Sequence, residues 1–291
     1  MVVDAPPISV LRPLRQTAPV VFSSAHSGRA YPADFVAAAR LEPLRLRRSE
    51  DGFVDELYAA APRLGAPLLA ANFPRAYCDA NREPWELDPA MFEERLPDWV
   101  NSDSPRVAAG LGTIAKLVAS GENIYRHRLR FAEAEARIRD CWQPFHDALA
   151  DLLETTRLHF GAALLVDCHS MPANALPARM PTDIVLGDAH GTACDPAITA
   201  LAETTLRDLG YRVRRNEPYA GGFITRHYGR PRASVHALQI EINRGLYMHE
   251  DRIEPSERFA AVQTDLGRLV AVLLAEVGEI MLPGLAALAA E

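Results

Sequence analysis

Leu164-Leu165-Val166-Asp167-Cys168-His169-Ser170 is an apolar, strand-like run that gives out into a polar turn with a histidine at its end. Phe22-Ser23-Ser24-Ala25-His26-Ser27-Gly28 does the same. If both runs lie in one parallel sheet, both imidazoles emerge at its carboxyl edge, where open α/β sheets place their chemistry. Short Val-, Ile- and Leu-rich runs at 20–25, 68–71, 163–166, 184–186 and 238–242 read as strands. Helical patterns fall between or after them, at 51–61, 107–119, 131–157, 196–209 and 257–281. This alternation predicts an α/β fold, a mostly parallel sheet covered by helices on both faces.

The 291 residues are 48% hydrophobic and 24% charged, enough for one large core, and a single domain over 1–291 is expected. The net charge of −7 and the lack of a dense basic block argue against nucleic acid as a partner. Arg45-Leu46-Arg47-Arg48 is short and followed by Glu50 and Asp51, which reads as a solvated helix approach. The N-terminus carries no apolar signal-peptide core, and the most apolar late stretch, 269–275, is too short to span a bilayer. A soluble, cytoplasmic protein without a membrane partner is expected, and its oligomeric state is not legible. Four cysteines, Cys78, Cys141, Cys168 and Cys194, form no CxxC pair, so no disulfide framework is expected. Cys168 and His169 are neighbours on an extended segment and point to opposite faces, which makes a nucleophile pair awkward.

Asp195-Pro196 marks a helix start and Leu209-Gly210 its end. Phe131, Ala134, Ile138, Trp142, Phe145, Leu149 and Leu152 recur at helical spacing as a core stripe, and His146 belongs to the same helix. From Asn81 to Pro105 the chain is dense in Pro, Asp, Glu and Trp, an irregular excursion of the kind that serves as a lid or as a plain connection.

Two histidines at strand ends, each followed by a serine and then by a turn-forming Gly28 or Pro172, suit a shared divalent metal. Arg29 stands three positions after His26, so a short-spaced carboxylate ligand is absent there. Glu50 and Asp51 are the nearest acidic candidates, with an acidic helix start behind Ser49 as the plain alternative. Glu241 interrupts the apolar run Leu238-Gln239-Ile240-Glu241-Ile242. A carboxylate buried there needs a cation, a hydrogen-bond network or a raised pKa, so it reads either as a general base or as a structural ion pair with Arg244. Arg75, Arg82, Arg226 and Arg244 point to a small anionic substrate, with pairing to Asp79 or Glu83 as the alternative. Gly187-Asp188-Ala189-His190-Gly191 and Gly221-Gly222-Phe223 read as further loops near the site or as plain turns.

Taken in order, Ser24-Ala25-His26-Ser27-Gly28, the Glu50–Leu57 segment, Asp79-Ala80-Asn81-Arg82, Val166-Asp167-Cys168-His169-Ser170-Met171-Pro172, Gly187-Asp188, the Gly221–Gly229 segment and Gln239-Ile240-Glu241 resemble the N-formylglutamate amidohydrolase family. Ala25 departs from the family pattern, which often has a proline there, and so does Asn243-Arg244 after Glu241. The resemblance implies a three-layer sandwich with a mostly parallel mixed sheet, similar to zinc carboxypeptidases and the phosphorylase/hydrolase-like folds. It implies one Zn²⁺ per chain, or another divalent metal, on His26, Asp51 and His169, with Glu241 as catalytic base. Asn81, Arg82, Arg226 and Arg244 would hold the substrate, while Asp167, Ser27 and Glu50 would support the ligands from behind. The implied reaction is hydrolysis of N-formyl-L-glutamate to formate and L-glutamate, a closing step of histidine degradation. Another N-acyl amino acid hydrolase, a carboxypeptidase-like hydrolase or a metal-free small-molecule binder of the same fold are the alternative readings.

Overall fold

The computed structural model describes residues 6–175 and 179–282, so the ends of the expected 1–291 unit lie outside the described residues. Seven strands form one sheet: β1 Ile8–Leu11, β2 Val20–Ser24, β3 Leu68–Ala71, β4 Ala163–Met171, β5 Ile184–Gly187, β6 Val213–Arg215 and β7 Val235–Asn243. Their order is β1-β3-β2-β4-β7-β5-β6. The central four, β3, β2, β4 and β7, run parallel. Edge strand β1 is antiparallel to β3, and β5 is antiparallel to β7 while parallel to β6. The sheet is therefore mixed and mostly parallel.

Period-two alternation divides the strands between two cores. Val20, Phe22, Leu164, Val166, Leu238 and Ile240 pack against the helices Pro196–Asp208 and Phe259–Met281 on one face. Val21, Leu165 and Ala237 face the helix Gln143–Phe160 on the other. That helix continues Phe131–Arg137 through a π-helical stretch, Ile138–Trp142, and its Phe145, Leu149 and Leu152 are buried as the stripe predicts. Asp195 caps Pro196–Asp208 by accepting from Ala197 N at 2.8 Å. Cys168 turns into the first core while its neighbours Asp167 and His169 fall on the second face.

Three readings need correction. Strand β4 runs five residues past its apolar run, because Asp167 to Met171 keep pairing with β7, so His169 lies inside the strand rather than in a turn. Residues 107–119 are not a helix beyond Pro105–Ala108. Gly110 is left-handed (φ +73°), a Cβ at Gly112 would sit 2.2 Å from Glu86 O, and the backbone pairs outward instead, Thr113 N donating to Glu86 O and Asp79 N to Thr113 O. The 51–61 helix is likewise two short ones, Val54–Leu57 and Ala61–Leu64, the first begun late by left-handed Phe53 and the second restarted at Ala61 with Pro62 in its first turn.

Candidate metal centre and active-site cavity

The carboxyl ends of β2, β4 and β7 lie side by side, and the register sets Asp167 opposite both Ser23 and Gln239 and His169 opposite Glu241. By alternation these five side chains share one face, so the strand ends that are apolar on one side are polar on the other. His26 follows β2 directly, and Asp51 is tied to it through Asp51 N and His26 O at 3.0 Å.

His26, Asp51 and His169 are buried, and one ligand atom from each falls within 4.8 Å of the others. Both rings are oriented alike. His26 Nε2 meets Asp79 Oδ1 at 2.7 Å and His169 Nε2 meets Asp167 Oδ1 at 2.9 Å. Their Nδ1 atoms converge on the same oxygen, Asp51 Oδ2, at 3.4 Å and 3.0 Å. With each Nε2–H donated to a carboxylate, two lone pairs and a carboxylate oxygen confront one another, an arrangement that needs a shared proton or a cation. His26 Nδ1 is buried without a hydrogen-bond partner, which fits a metal ligand better than a structural histidine. The donor set therefore suits a divalent ion such as zinc.

Arginines keep the acids ionised. Arg244 Nη2 donates to Asp51 Oδ1 at 2.8 Å, and its Nε donates to Ser170 Oγ. Burial would raise Asp51, but the hydrogen bond with His169, the close approach of the His26 ring and the charge of Arg244 hold it well below the usual carboxylate range. Asp79 is also held low against its burial, by Arg75 at 2.8 Å, by Arg82 and by His26. His169 is pushed up, because Asp167 and Asp51 outweigh its burial. Glu241 is only 9% exposed, accepts a hydrogen bond from Gln239 Nε2 at 3.0 Å, and is raised by burial to about 7.

A cavity of about 550 Å³ opens over these groups, lined by His26, Asp51, His169 and Glu241 and by five arginines, Arg75, Arg82, Arg106, Arg226 and Arg244. Asn81 also lines it, while its Oδ1 accepts from Ile224 N at 2.8 Å and its Nδ2 lies 3.2 Å from His169 Nε2. Of the two acidic candidates only Asp51 reaches the cluster, since Glu50 is turned to Arg47 in a two-pronged pair at 3.0 and 3.1 Å. Ser27 hydrogen-bonds Ser24 at 2.8 Å. Asp188 caps its own loop through Gly191 N and Thr199, whereas His190 reaches the cavity wall.

Residues 18–248 match the family model described as N-formylglutamate amidohydrolase. The chain belongs to the N-formylglutamate amidohydrolase family. Within this family it is 34% identical over 245 residues to an N-formylglutamate deformylase of Pseudomonas aeruginosa, covering 81% of this chain and 84% of that protein. A Pseudomonas putida N-formylglutamate deformylase is 30% identical over 239 residues, with 80% and 82% covered. The crystal structure of N-formylglutamate amidohydrolase from Ralstonia eutropha JMP134 superimposes with a TM-score of 0.89 at 39% identity, over 97% of this chain and all of that one.

Asp79 and Arg75 were legible as residues but not as parts of the cluster. The sequence suggested surface pairing for Asp79, yet it is buried behind His26. Its position two residues before Asn81-Arg82 was the available signal. Arg106 carried none, since it stands between the irregular excursion that ends at Pro105 and the helix expected over 107–119.

Proposed function

We propose that the protein is a zinc-dependent amidohydrolase that removes the formyl group of an N-formyl amino acid, with N-formyl-L-glutamate giving formate and L-glutamate as its reaction. The observation that carries this reading is the convergence of two imidazole Nδ1 atoms on Asp51 Oδ2 beside a buried glutamate, inside an arginine-lined cavity. His26, Asp51 and His169 would hold the ion, with Asp79 and Asp167 fixing the two rings through their far nitrogens. When bound, zinc acidifies a water and polarises the formyl carbonyl as a Lewis acid.

Glu241 accepts the proton of the attacking water and returns it to the departing amine nitrogen, a task suited to a carboxylate raised toward neutrality by burial. Arg82 and Arg226 hold substrate carboxylates and so orient the reacting amide. Arg244, committed to Asp51 and Ser170, keeps the acidic ligand ionised and in place. Arg75 does the same for Asp79.

A formate-release assay over formyl, acetyl and succinyl derivatives of glutamate and neutral amino acids, with and without chelator, tests the reading. The expected result is chelator-sensitive formate release from N-formylglutamate, with about one zinc per chain by elemental analysis. Chelator-resistant turnover, or turnover of acetyl and succinyl compounds alone, overturns it.

A further inference from the structure

The cavity has a side arm. A second hollow of about 340 Å³ adjoins it, and Asn81, Arg82, Arg106, Gly221, Gly222 and Arg226 line both. Three guanidinium groups therefore face the arm, and they differ in how far the protein already uses them. Arg82 is 7% exposed, donating from Nε to Leu111 O at 2.8 Å and from Nη1 to Asn81 O at 2.6 Å. Arg106 and Arg226 are exposed, and neither side chain has an ion-pair partner within 4.0 Å among the described residues.

Other exposed arginines, such as Arg12, Arg40, Arg63 and Arg128, also have no ion-pair partner within 4.0 Å among the described residues, but Arg106 and Arg226 share one hollow with a third guanidinium. Arg95, by contrast, is exposed and matched to Asp98 at 2.8 Å. The acids of the arm are turned to other donors, Glu83 Oε2 to Asn101 Nδ2 at 2.9 Å and Glu86 Oε2 to Glu83 N at 3.2 Å. Two guanidinium forks left free on one hollow beside a third like charge repel each other, and an anion between them relieves that repulsion.

Resting on the proposed deformylase reading, the geometry points to Arg106 and Arg226 as the subsite for a second carboxylate, the side-chain acid of the substrate, with Arg106 setting the preference for acidic over neutral N-formyl amino acids. Arg82, at the junction of the two hollows, is placed to take the α-carboxylate. Arg106 reaches the arm on the short helix Pro105–Ala108, and Arg226 on Phe223–Tyr228, so the subsite joins the irregular excursion to the sheet-borne centre. A bidentate guanidinium–carboxylate contact discriminates by charge and planarity together, and a neutral amide satisfies it poorly.

The test compares kcat/KM for N-formyl-L-glutamate and its neutral isostere N-formyl-L-glutamine in the zinc-loaded wild type, Arg106→Gln, Arg106→Lys, Arg226→Gln and Arg95→Gln. The glutamate-to-glutamine ratio is expected to fall roughly tenfold or more in Arg106→Gln and Arg226→Gln, chiefly through KM, with part of it restored by lysine at 106. Inhibition by the product L-glutamate relative to L-glutamine should weaken in step, which reads the subsite without turnover. A wild type that prefers the acidic substrate while Arg106→Gln and Arg106→Lys, folded by circular dichroism, keep its ratio overturns the subsite and leaves the deformylase reading standing. An equal fall in Arg95→Gln overturns it too, since net charge alone then suffices. A wild type that releases formate from neither compound overturns both.

Discussion

Titration of His146 gives the pH dependence of folding a defined sign and size. Its ring lies 3.9 Å, centre to centre, from Trp142, its Nε2 meets Ala80 O at 2.8 Å, and its Nδ1 meets Tyr228 Oη at 2.9 Å. Burial pushes it down to about 4 from the ordinary 6.5. The unfolded chain therefore binds this proton more readily than the folded one, and stability is lost as pH falls below about 6.5 and levels off below about 4. At about 1.4 kcal/mol per pKa unit the full gap is worth about 3 kcal/mol, of which about 2 kcal/mol is gone by pH 5. Urea unfolding at pH 7.5 and at pH 5 measures it, with His146→Gln as the comparison, because other groups titrate in the same range. The variant should start less stable, having lost its contacts with Ala80 and Tyr228, and should lose about 2 kcal/mol less on acidification than the wild type. Equal losses in the two proteins refute the assignment. Since Ala80 O belongs to the segment carrying Asp79, Asn81 and Arg82, activity should also weaken in the variant before the fold does.

Glu241→Gln is expected to keep its zinc and lower kcat by roughly 10²-fold or more, and near-normal turnover excludes the general-base role. His169→Ala should lose bound zinc together with activity, so stoichiometric metal in the purified variant removes this residue from the ligand set. Asp79→Asn leaves His26 with a weaker acceptor and strands Arg75 and Arg82 without their counter-ion, and zinc affinity by competitive chelation should drop about 10- to 100-fold. Gly28→Ala places a Cβ 2.1 Å from Phe73 O, a backbone atom that cannot step aside, so the His26 loop must shift. A loss of about 1–3 kcal/mol in denaturant unfolding is expected, and a wild-type midpoint contradicts the packing argument.

The strands were readable because their evidence is local. Val20 to Phe22 and Leu164 to Val166 are apolar on consecutive positions, as strands buried on both faces must be, Leu238, Ile240 and Ile242 are apolar on alternate ones, and each run becomes a central strand. The polar residues breaking those runs, Asp167, His169, Gln239 and Glu241, stand two apart and so had to share a face. The failed helix at 107–119 had the opposite cause. Its apolar spacing was helical, but Gly110 and Gly112 let the backbone take partners from residues 79 and 86, and those nonlocal bonds outweighed a weak local preference.

By itself the sequence determined the central strands, the long helices, the polar edge of the sheet and a short list of imidazoles and carboxylates able to hold a metal. Which carboxylate meets which ring was a tertiary decision. Arg244 reaches across 193 positions to Asp51, Asp51 across 118 to His169, and Asp79 across 53 to His26, while Glu50, next to Asp51, turns instead to Arg47. Adjacent acids are chemically alike to a reader of the chain. The fold tells them apart because burial makes an unpaired charge costly, and packing dictates which of the two faces the paired imidazoles and Arg244 and which faces Arg47.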